Sequence, residues 1–257
     1  MGIYQNKGKS MKTVLVVPDL HCPFQDEQAV ETVLKINKHV KPDVTVLLGD
    51  TIEAEGVSRW IKESVAARGL SDIGKEFDSF NVLFDKLTAY SNEVLITKGN
   101  HEFRLHEYAD QHPEVASLVN FEKNIYLKER RKAGKKIRIC EYNEALNVGK
   151  LWFTHGTYTG DNASKKMVMA YQRSICFGHT HTVSCASWVS PIDVRDKHTA
   201  YNLGCLCSQN PGFMKNKPNA WSHACGIAYI QDNGCFNFYT IGIFDGVAVF
   251  NGKVFSS

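Results

Sequence analysis

Five short clusters of acidic, amide and imidazole side chains lie within the first 182 residues of the chain. In chain order they are Asp19 and His21; Gly49 and Asp50; Gly99, Asn100, His101 and Glu102; His155 and Gly156; Gly178, His179 and His181. Taken singly, each fits an ordinary turn or a hydrogen-bonded histidine. Together they supply oxygen and imidazole ligands without thiolate, a set that suits Mn, Fe, Zn or Ni.

The spacing within the clusters indicates how ions could be shared. Asp19 and His21 are two residues apart, so on an extended chain they can point the same way and bind one ion. His179 and His181 have the same spacing and can serve one ion each. The glycine before Asp50 lets the backbone approach closely and leaves that carboxylate free to bridge two ions.

Each cluster follows a short apolar run rich in β-branched residues, typical of strands buried on both faces. These runs are residues 13–17, 44–48, 93–97, 151–154 and 174–177. Helical patterns at 26–40 and 71–90 separate some of them, and Pro113 suits the first turn of a helix over 114–121. This order predicts a parallel sheet with right-handed crossovers, whose carboxyl ends bring all five clusters to one edge.

After residue 182 the chain contains strand-like segments broken by Gly, Pro and Asn, with little helical pattern between them. They predict a second, more antiparallel sheet packed on the first. We therefore expect one domain over residues 1–257, with residues 1–11 as a flexible tail. The irregular stretch 203–221 is expected either over the site or at a contact between copies in a homo-oligomer, and the sequence leaves both open.

Composition narrows the class of protein. The chain has 257 residues, is 43% hydrophobic and carries a formal net charge of +3. No apolar run approaches eighteen residues, which argues against an ordinary transmembrane helix and a membrane partner. Eight scattered cysteines without a Cys-x-x-Cys pair, and no secretory signal, predict free thiols in a reducing cytoplasm. Cys205 and Cys207 are close, but no second pair gives them zinc-finger spacing.

The order and spacing of the five clusters, over residues 13–182, resemble the calcineurin-like metallophosphoesterase superfamily, and in length the chain is similar to its small bacterial and phage-encoded members. The resemblance implies a four-layer α/β/β/α sandwich with two mixed sheets. It also implies two divalent metal ions, with Mn preferred and Fe, Zn or Ni as alternatives. By position, one ion would take Asp19, His21, Asp50 and His181, and the other Asp50, Asn100, His155 and His179.

The resemblance also implies a mechanism. Two ions clamp a phosphate and lower the pKa of a bridging water, which attacks phosphorus in line. His101 would stand outside the metal ligands and donate a proton to the leaving oxygen. Asp50, Asn100 and His101 are thus the predicted catalytic residues. Glu102 is expected either to favour a helix N-terminus or to fix a ligand histidine.

The sequence says less about the substrate. Two divalent ions carry four positive charges, and the aspartates Asp19 and Asp50 neutralise two of them. One hydroxide and one diester monoanion neutralise the other two. The count mildly favours a phosphodiesterase acting on nucleotides or nucleic acid. Arg104 and Arg59 are candidate phosphate contacts. The basic segment 123–138 could follow a nucleic-acid backbone or be a solvated helix end. The alternatives are a phosphomonoesterase acting on a small metabolite and a non-catalytic scaffold. A phage-encoded member would work in the host cytoplasm.

Overall fold

The computed structural model describes residues 11–58, 73–211 and 214–257. In these ranges the strands are β1 Met11–Val17, β2 Val44–Leu47, β3 Glu93–Thr97, β4 Lys136–Cys140, β5 Leu146–Val148, β6 Leu151–Phe153, β7 Ser174–Phe177, β8 Val183–Val189, β9 Lys197–Leu203, β10 His223–Gln231, β11 Phe236–Ile243, β12 Val247–Phe250 and β13 Lys253–Ser256. The α-helices are α1 Glu27–Val40, α2 Ile73–Leu87, α3 Asn100–Gln111, α4 Phe121–Asn124, α5 Leu127–Lys132 and α6 Ala163–Tyr171. None of the described helices combines the length and the apolar character needed to cross a bilayer.

Two mixed sheets form the centre of the fold. The first has the strand order β11-β10-β1-β2-β3-β4, in which β1 to β4 are parallel and β10 and β11 are antiparallel to their neighbours. The second has the order β5-β6-β7-β9-β8, in which β6, β7 and β9 are parallel. Strands β12 and β13 form a separate hairpin. The predicted pair of mixed sheets is confirmed.

Three apolar clusters hold the layers together. Leu15 and Val17 of β1 lie in a core with α1 and α2, whereas Val14 and Val16 lie in a second core with Phe153 of β6 and other residues of the second sheet. Successive residues of β1 thus face opposite cores, as the two-fold period of a strand requires. A third core packs α6 on β7 of the second sheet. The order of layers is helix, sheet, sheet, helix.

The predicted membership of the sheets is wrong. The five strands that carry the clusters were expected in one parallel sheet, but β6 and β7 belong to the second sheet. In turn, β10 and β11, expected in the second sheet, extend the first, where β10 pairs antiparallel with β1. The reason is that β1 accepts a neighbour on each side, and a buried apolar run does not show which distant segment fills the second edge.

Local predictions had mixed outcomes. The helical patterns at 26–40 and 71–90 correspond to α1 and α2, and Asp26 caps α1 by accepting the N–H of Ala29 at 2.8 Å. The helix predicted over 114–121 is wrong: only a 3₁₀ turn, Pro113–Val115, forms before α4 begins. Met11, placed in the predicted tail, pairs with Gln231 in β1; residues 1–10 lie outside the described ranges.

The basic segment 123–138 lies at the amino end of β4, because Lys136 pairs with Glu93 at the start of β3. Arg130 packs its guanidinium 4.0 Å from the ring centroid of Phe84, and it also pairs with Asp85. The predicted polar clusters follow the carboxyl ends of their strands. The basic segment is therefore at the opposite end of the first sheet from the clusters.

Candidate metal centre

The structure brings all five clusters together at one end of the two sheets. Strand β1 leads to His21, β2 to Asp50 and β6 to His155, while α3 begins at Asn100. Asp50 lies at the centre, because its Oδ2 is 3.3 Å from His155 Nε2, 3.6 Å from His21 Nε2 and 3.7 Å from His101 Nε2. One carboxylate oxygen thus faces three imidazoles, as expected of a bridging ligand.

The four residues assigned to the second ion converge on one point. His155 Nδ1–H donates to the carbonyl of Leu48 at 2.8 Å, which directs Nε2 toward the cluster. That Nε2 lies 3.0 Å from Asn100 Oδ1 and 3.2 Å from His179 Nδ1. Asp50, His155 and His179 all place ligand atoms within 4.8 Å of one another. This group is close enough to hold an ion.

Of the residues assigned to the first ion, only some lie close enough together to share an ion. His21 Nε2 lies 3.1 Å from His181 Nε2. Asp19 is fully buried beside them, but its carboxylate accepts the backbone N–H of His179 at 2.9 Å and lies 3.4 Å from His155 Nδ1. It belongs to none of the ligand groups within 4.8 Å that the described residues form. The ligand role of Asp19 stays a prediction.

Two residues that sequence reasoning did not assign take part in the site. Glu53 Oε2 accepts a hydrogen bond from His21 Nδ1 at 2.7 Å, and the Glu53 carbonyl accepts one from His101 Nδ1 at 2.5 Å. Cys207 Sγ lies 3.9 Å from His181 Nδ1 and forms a possible ligand group with His21 and His181. Only the closeness of Glu53 to Asp50 in the chain, and the pair of nearby cysteines, pointed to them.

Glu102 anchors the loop that carries Asp50. Its carboxylate accepts the N–H groups of Asp50 at 2.9 Å, Thr51 at 2.7 Å and Gly99 at 2.7 Å. The Thr51 hydroxyl also donates to it at 2.6 Å. Of the two roles predicted for Glu102, the structure shows the one at a helix N-terminus, because the residue lies in the first turn of α3.

Substituting Glu102 by Gln is expected to destabilise the fold. The amide keeps one acceptor oxygen and turns an NH₂ donor toward N–H groups, so the free energy of unfolding should fall by about 3 kcal/mol. Urea denaturation followed by circular dichroism measures this change. Glu107→Gln, on the exposed side of the same helix, is the matched control. Equal stability of the two variants would contradict the anchoring role.

Close packing explains the glycines beside the ligands. Gly49 has φ +89°, and a Cβ there would lie 2.5 Å from the carbonyl oxygen of Thr97. A Cβ on Gly178 would overlap the Asp19 carboxylate. Gly99 has an extended backbone, with φ −92° and ψ −174°. The absence of a side chain there permits the close approach of Asp50.

Four residues of the predicted ligand set have left-handed backbone conformations. These are His21 at φ +50°, Asp50 at +43°, His179 at +70° and His181 at +60°. Such conformations cost L-residues on the order of 1–3 kcal/mol each and collect at functional sites. These backbone conformations therefore lower the stability of the fold, and they set the direction in which the four side chains point.

The histidines of the site fall into two groups, one with a raised pKa and one with a lowered pKa. Burial disfavours the charge on His155, but Asp50 and Asp19 outweigh it and raise the pKa of His155 to about 10. Burial acts likewise on His21, where Glu53 and Asp50 raise the pKa to about 10. Burial and the charge of His155 lower the pKa of His179 to about 4. Without an ion, protons on His21 and His155 thus neutralise the buried carboxylates.

Divalent cations suit this donor set. The pKa of Asp50 is held well below its usual range: burial opposes this, but His101 and His155 outweigh burial. An ionised, fully buried carboxylate among imidazoles needs positive charge nearby, and an ion in place of the two protons would supply it. Oxygen and imidazole ligands match the preferences of Mn, Fe, Zn and Ni.

A cleft of about 810 Å³ opens above the cluster. Arg104 lies in its wall, donating to His101 Nε2 at 3.0 Å and to the Glu53 carbonyl at 3.3 Å. Ser208, Pro211 and Trp221 also line it, so these described residues of the stretch 203–221 lie over the site, one of its two predicted places. Arg59, the other predicted phosphate contact, lies outside the described residues.

Comparison with known proteins gives consistent matches. A family model described as calcineurin-like phosphoesterase matches residues 12–183. The Gene 54 protein of Mycobacterium phage D29 is 28% identical over 185 residues, which cover 66% of this chain and 69% of the phage protein. The Gene 54 protein of Mycobacterium phage L5 is 26% identical over the same shares of the two chains.

Solved structures with related shapes are more distant. Vacuolar Protein Sorting 29 from Cryptosporidium parvum is 10% identical with a TM-score of 0.48, over 96% of each chain. The phosphoesterase YfcE from E. coli is 12% identical with a TM-score of 0.38, over 88% of this chain and 98% of that one. At this level of likeness neither contributes to the assignment of an activity.

Proposed function

Because this chain belongs to the calcineurin-like phosphoesterase family, a family of metal-dependent phosphoester hydrolases, we propose that it is a phosphodiesterase with a dinuclear manganese centre. The observation that carries this proposal is the position of Asp50, whose Oδ2 lies within 3.7 Å of three imidazole nitrogens. A carboxylate shared in this way suits a bridge between two ions.

The proposed mechanism gives each side chain a task. His155, His179 and Asn100 would hold one ion, His21, His181 and Asp19 would hold the other, and Asp50 would be shared by both. When bound, two such ions supply an activated water and positive charge against the phosphoryl oxygens. Arg104, in the wall of the cleft, donates hydrogen bonds to a non-bridging oxygen and holds the phosphorus in line with the water.

Charge balance supports a diester substrate. Two divalent ions less Asp19 and Asp50 leave two positive charges. The lining of the cleft adds Glu53, Glu55 and Arg104, whose charges sum to minus one and lower the surplus to one. With one hydroxide bound, a diester monoanion then leaves one negative charge and a monoester dianion leaves two, so the diester is the less unfavourable of the two in a buried site.

We propose His101 as the proton donor to the leaving oxygen. In the substrate-free site, burial lowers the pKa of His101 to about 4, Nδ1–H donates to Glu53 and Nε2 accepts from Arg104. An anionic phosphoester and the charge that develops on its leaving oxygen favour the protonated ring. His101→Ala should therefore slow a phenyl ester more than a p-nitrophenyl ester, because p-nitrophenolate leaves without a proton. Equal losses on both would contradict the role.

The test of the function is hydrolysis of bis-p-nitrophenyl phosphate and p-nitrophenyl phosphate by metal-stripped protein, with and without added Mn. We expect Mn-dependent cleavage with the higher kcat/KM on the diester. A preference for the monoester would instead favour a phosphomonoesterase acting on a small metabolite. No turnover of either compound with Mn, Fe, Zn or Ni would contradict the hydrolase and favour a scaffold.

We further propose that the protein works in a reducing host cytoplasm. All eight cysteines are free, six of them buried, and none depends on a disulfide. Free buried thiols are typical of proteins in reducing compartments. The match to two phage proteins supports a phage-encoded origin. A homo-oligomer stays a prediction that light scattering after size exclusion would test.

A further inference from the structure

We infer that the cleft accepts a small nucleotide diester whose base stacks on an aromatic wall formed by Trp221 and Phe24. This inference rests on the proposed phosphodiesterase and names its substrate class. The cleft volume of about 810 Å³ is far more than a phosphate group fills and is in the range that holds small organic ligands. The residues that line the remaining space therefore select the organic part of the substrate.

The aromatic wall lies next to the proposed metal ligands, because Trp221 contacts His181. The ring centroid of Trp221 lies 4.1 Å from that of His181, at an interplanar angle of 75°. Phe24 lines the same cleft with 45% of its surface exposed. A phosphate held at the metal centre would thus carry its organic group directly past the indole. Flat π-systems such as nucleobases gain from stacking on aromatic side chains.

Hydrogen bonds fix the backbone that carries these two rings. The backbone N–H of Trp221 donates to Asn219 Oδ1 at 2.9 Å, and Gln209 Nε2 donates to the Trp221 carbonyl at 3.1 Å. The backbone N–H of Ser208 donates to the Phe24 carbonyl at 2.9 Å. Because the backbone is ordered before a ligand arrives, stacking loses little conformational entropy there.

Charge favours a short substrate over a long nucleic acid. Polynucleotides are held mainly by Lys and Arg along their phosphates. Among the described residues that line the cleft, Arg104 is the only lysine or arginine, and Glu53 and Glu55 are acidic. The basic segment 123–138 lies at the far end of the first sheet. The described lining of the cleft, with one basic side chain, therefore suits one phosphodiester and a base rather than a run of phosphates.

The test is calorimetric binding of three phosphinates to the Mn-loaded protein. A phosphinate carries one negative charge, as a phosphodiester does, and it cannot be hydrolysed because carbon replaces both ester oxygens. The three compounds are dimethylphosphinate, methylphenylphosphinate and a methylphosphinate joined to the 5′ carbon of a nucleoside. Stacking of one base is worth about 1–3 kcal/mol, so the nucleoside compound should bind about 5- to 150-fold more tightly than dimethylphosphinate. In Trp221→Ala this ratio should fall to within about twofold, while Trp221→Phe should keep most of it.

Trp188→Ala removes a tryptophan from β8 and serves as the matched control, in which the ratio should persist. A nucleoside phosphinate that binds no more tightly than dimethylphosphinate would overturn the inference. Binding of methylphenylphosphinate as tight as that of the nucleoside compound would overturn the choice of a base over any aryl group. Tighter, salt-dependent binding of an oligonucleotide would overturn the short substrate. Because binding needs no turnover, the outcome is separate from the fate of the proposed hydrolase.

Discussion

Substituting Asp50 by Asn should reduce kcat/KM on bis-p-nitrophenyl phosphate by about 1,000-fold or more, on the order of 4 kcal/mol of transition-state stabilisation. Asn keeps the shape of the side chain, and its Oδ1 can still accept the hydrogen bond that the backbone N–H of His101 donates to Asp50 Oδ1 at 2.9 Å. It cannot keep the negative charge that faces three imidazoles. The loss should therefore come from the metal centre, with the fold retained.

Two measurements separate that cause from misfolding. Elemental analysis of the dialysed variant should give fewer than two Mn ions per chain, and circular dichroism should match the unsubstituted protein. Asp161→Asn removes an exposed aspartate at the turn before α6 and should change neither value. Turnover within tenfold of the unsubstituted protein, with two ions bound, would rule out Asp50 as the bridging ligand.

The sequence predicted which side chains meet at the site, because each of the proposed ligands is placed by its own strand or helix. A buried strand that ends in Asp or His places that side chain at the rim wherever the strand lies in the fold. The prediction for residues such as His155 therefore brought it to the correct end, although β6 belongs to the second sheet rather than the first. The error in sheet membership did not carry over to the site, because the carboxyl ends from both sheets meet.

The residues that support the ligands were harder to predict, because their partners are distant in the chain. Glu102 bonds to Asp50 and Thr51 across about fifty residues, and the Glu53 carbonyl bonds to His101 over a similar separation. Trp221 contacts His181 of the metal centre from residues 217–222, which lie outside helices and strands. Such contacts depend on how the loops pack, which hydrophobic periodicity does not encode.

Returning Mn to the metal-stripped protein should raise its melting temperature and release protons. An ion at a hundredfold excess over its dissociation constant adds about 2.7 kcal/mol of stability, or about 5–10 °C for a chain of this size. The pKa values of about 10 for His21 and His155 mean that both rings are in the charged form at pH 8 without metal, with a proton on each of the two nitrogens. Ligand nitrogens must lose those protons, so loading both sites should release at least two protons, and ionisation of the metal-bound water adds to that number.

Calorimetry in buffers of different ionisation enthalpy counts those protons, and the count identifies where the ions bind. Carboxylates on a protein surface are already ionised at pH 8, so ions bound there would release almost none. A buried centre exchanges protons for metal, and its affinity should rise with pH up to about 10. His21→Gln should remove about one proton from the count, whereas His106→Gln, on the exposed face of α3, should remove none. A count near zero would place the ions outside the cluster and contradict the dinuclear centre.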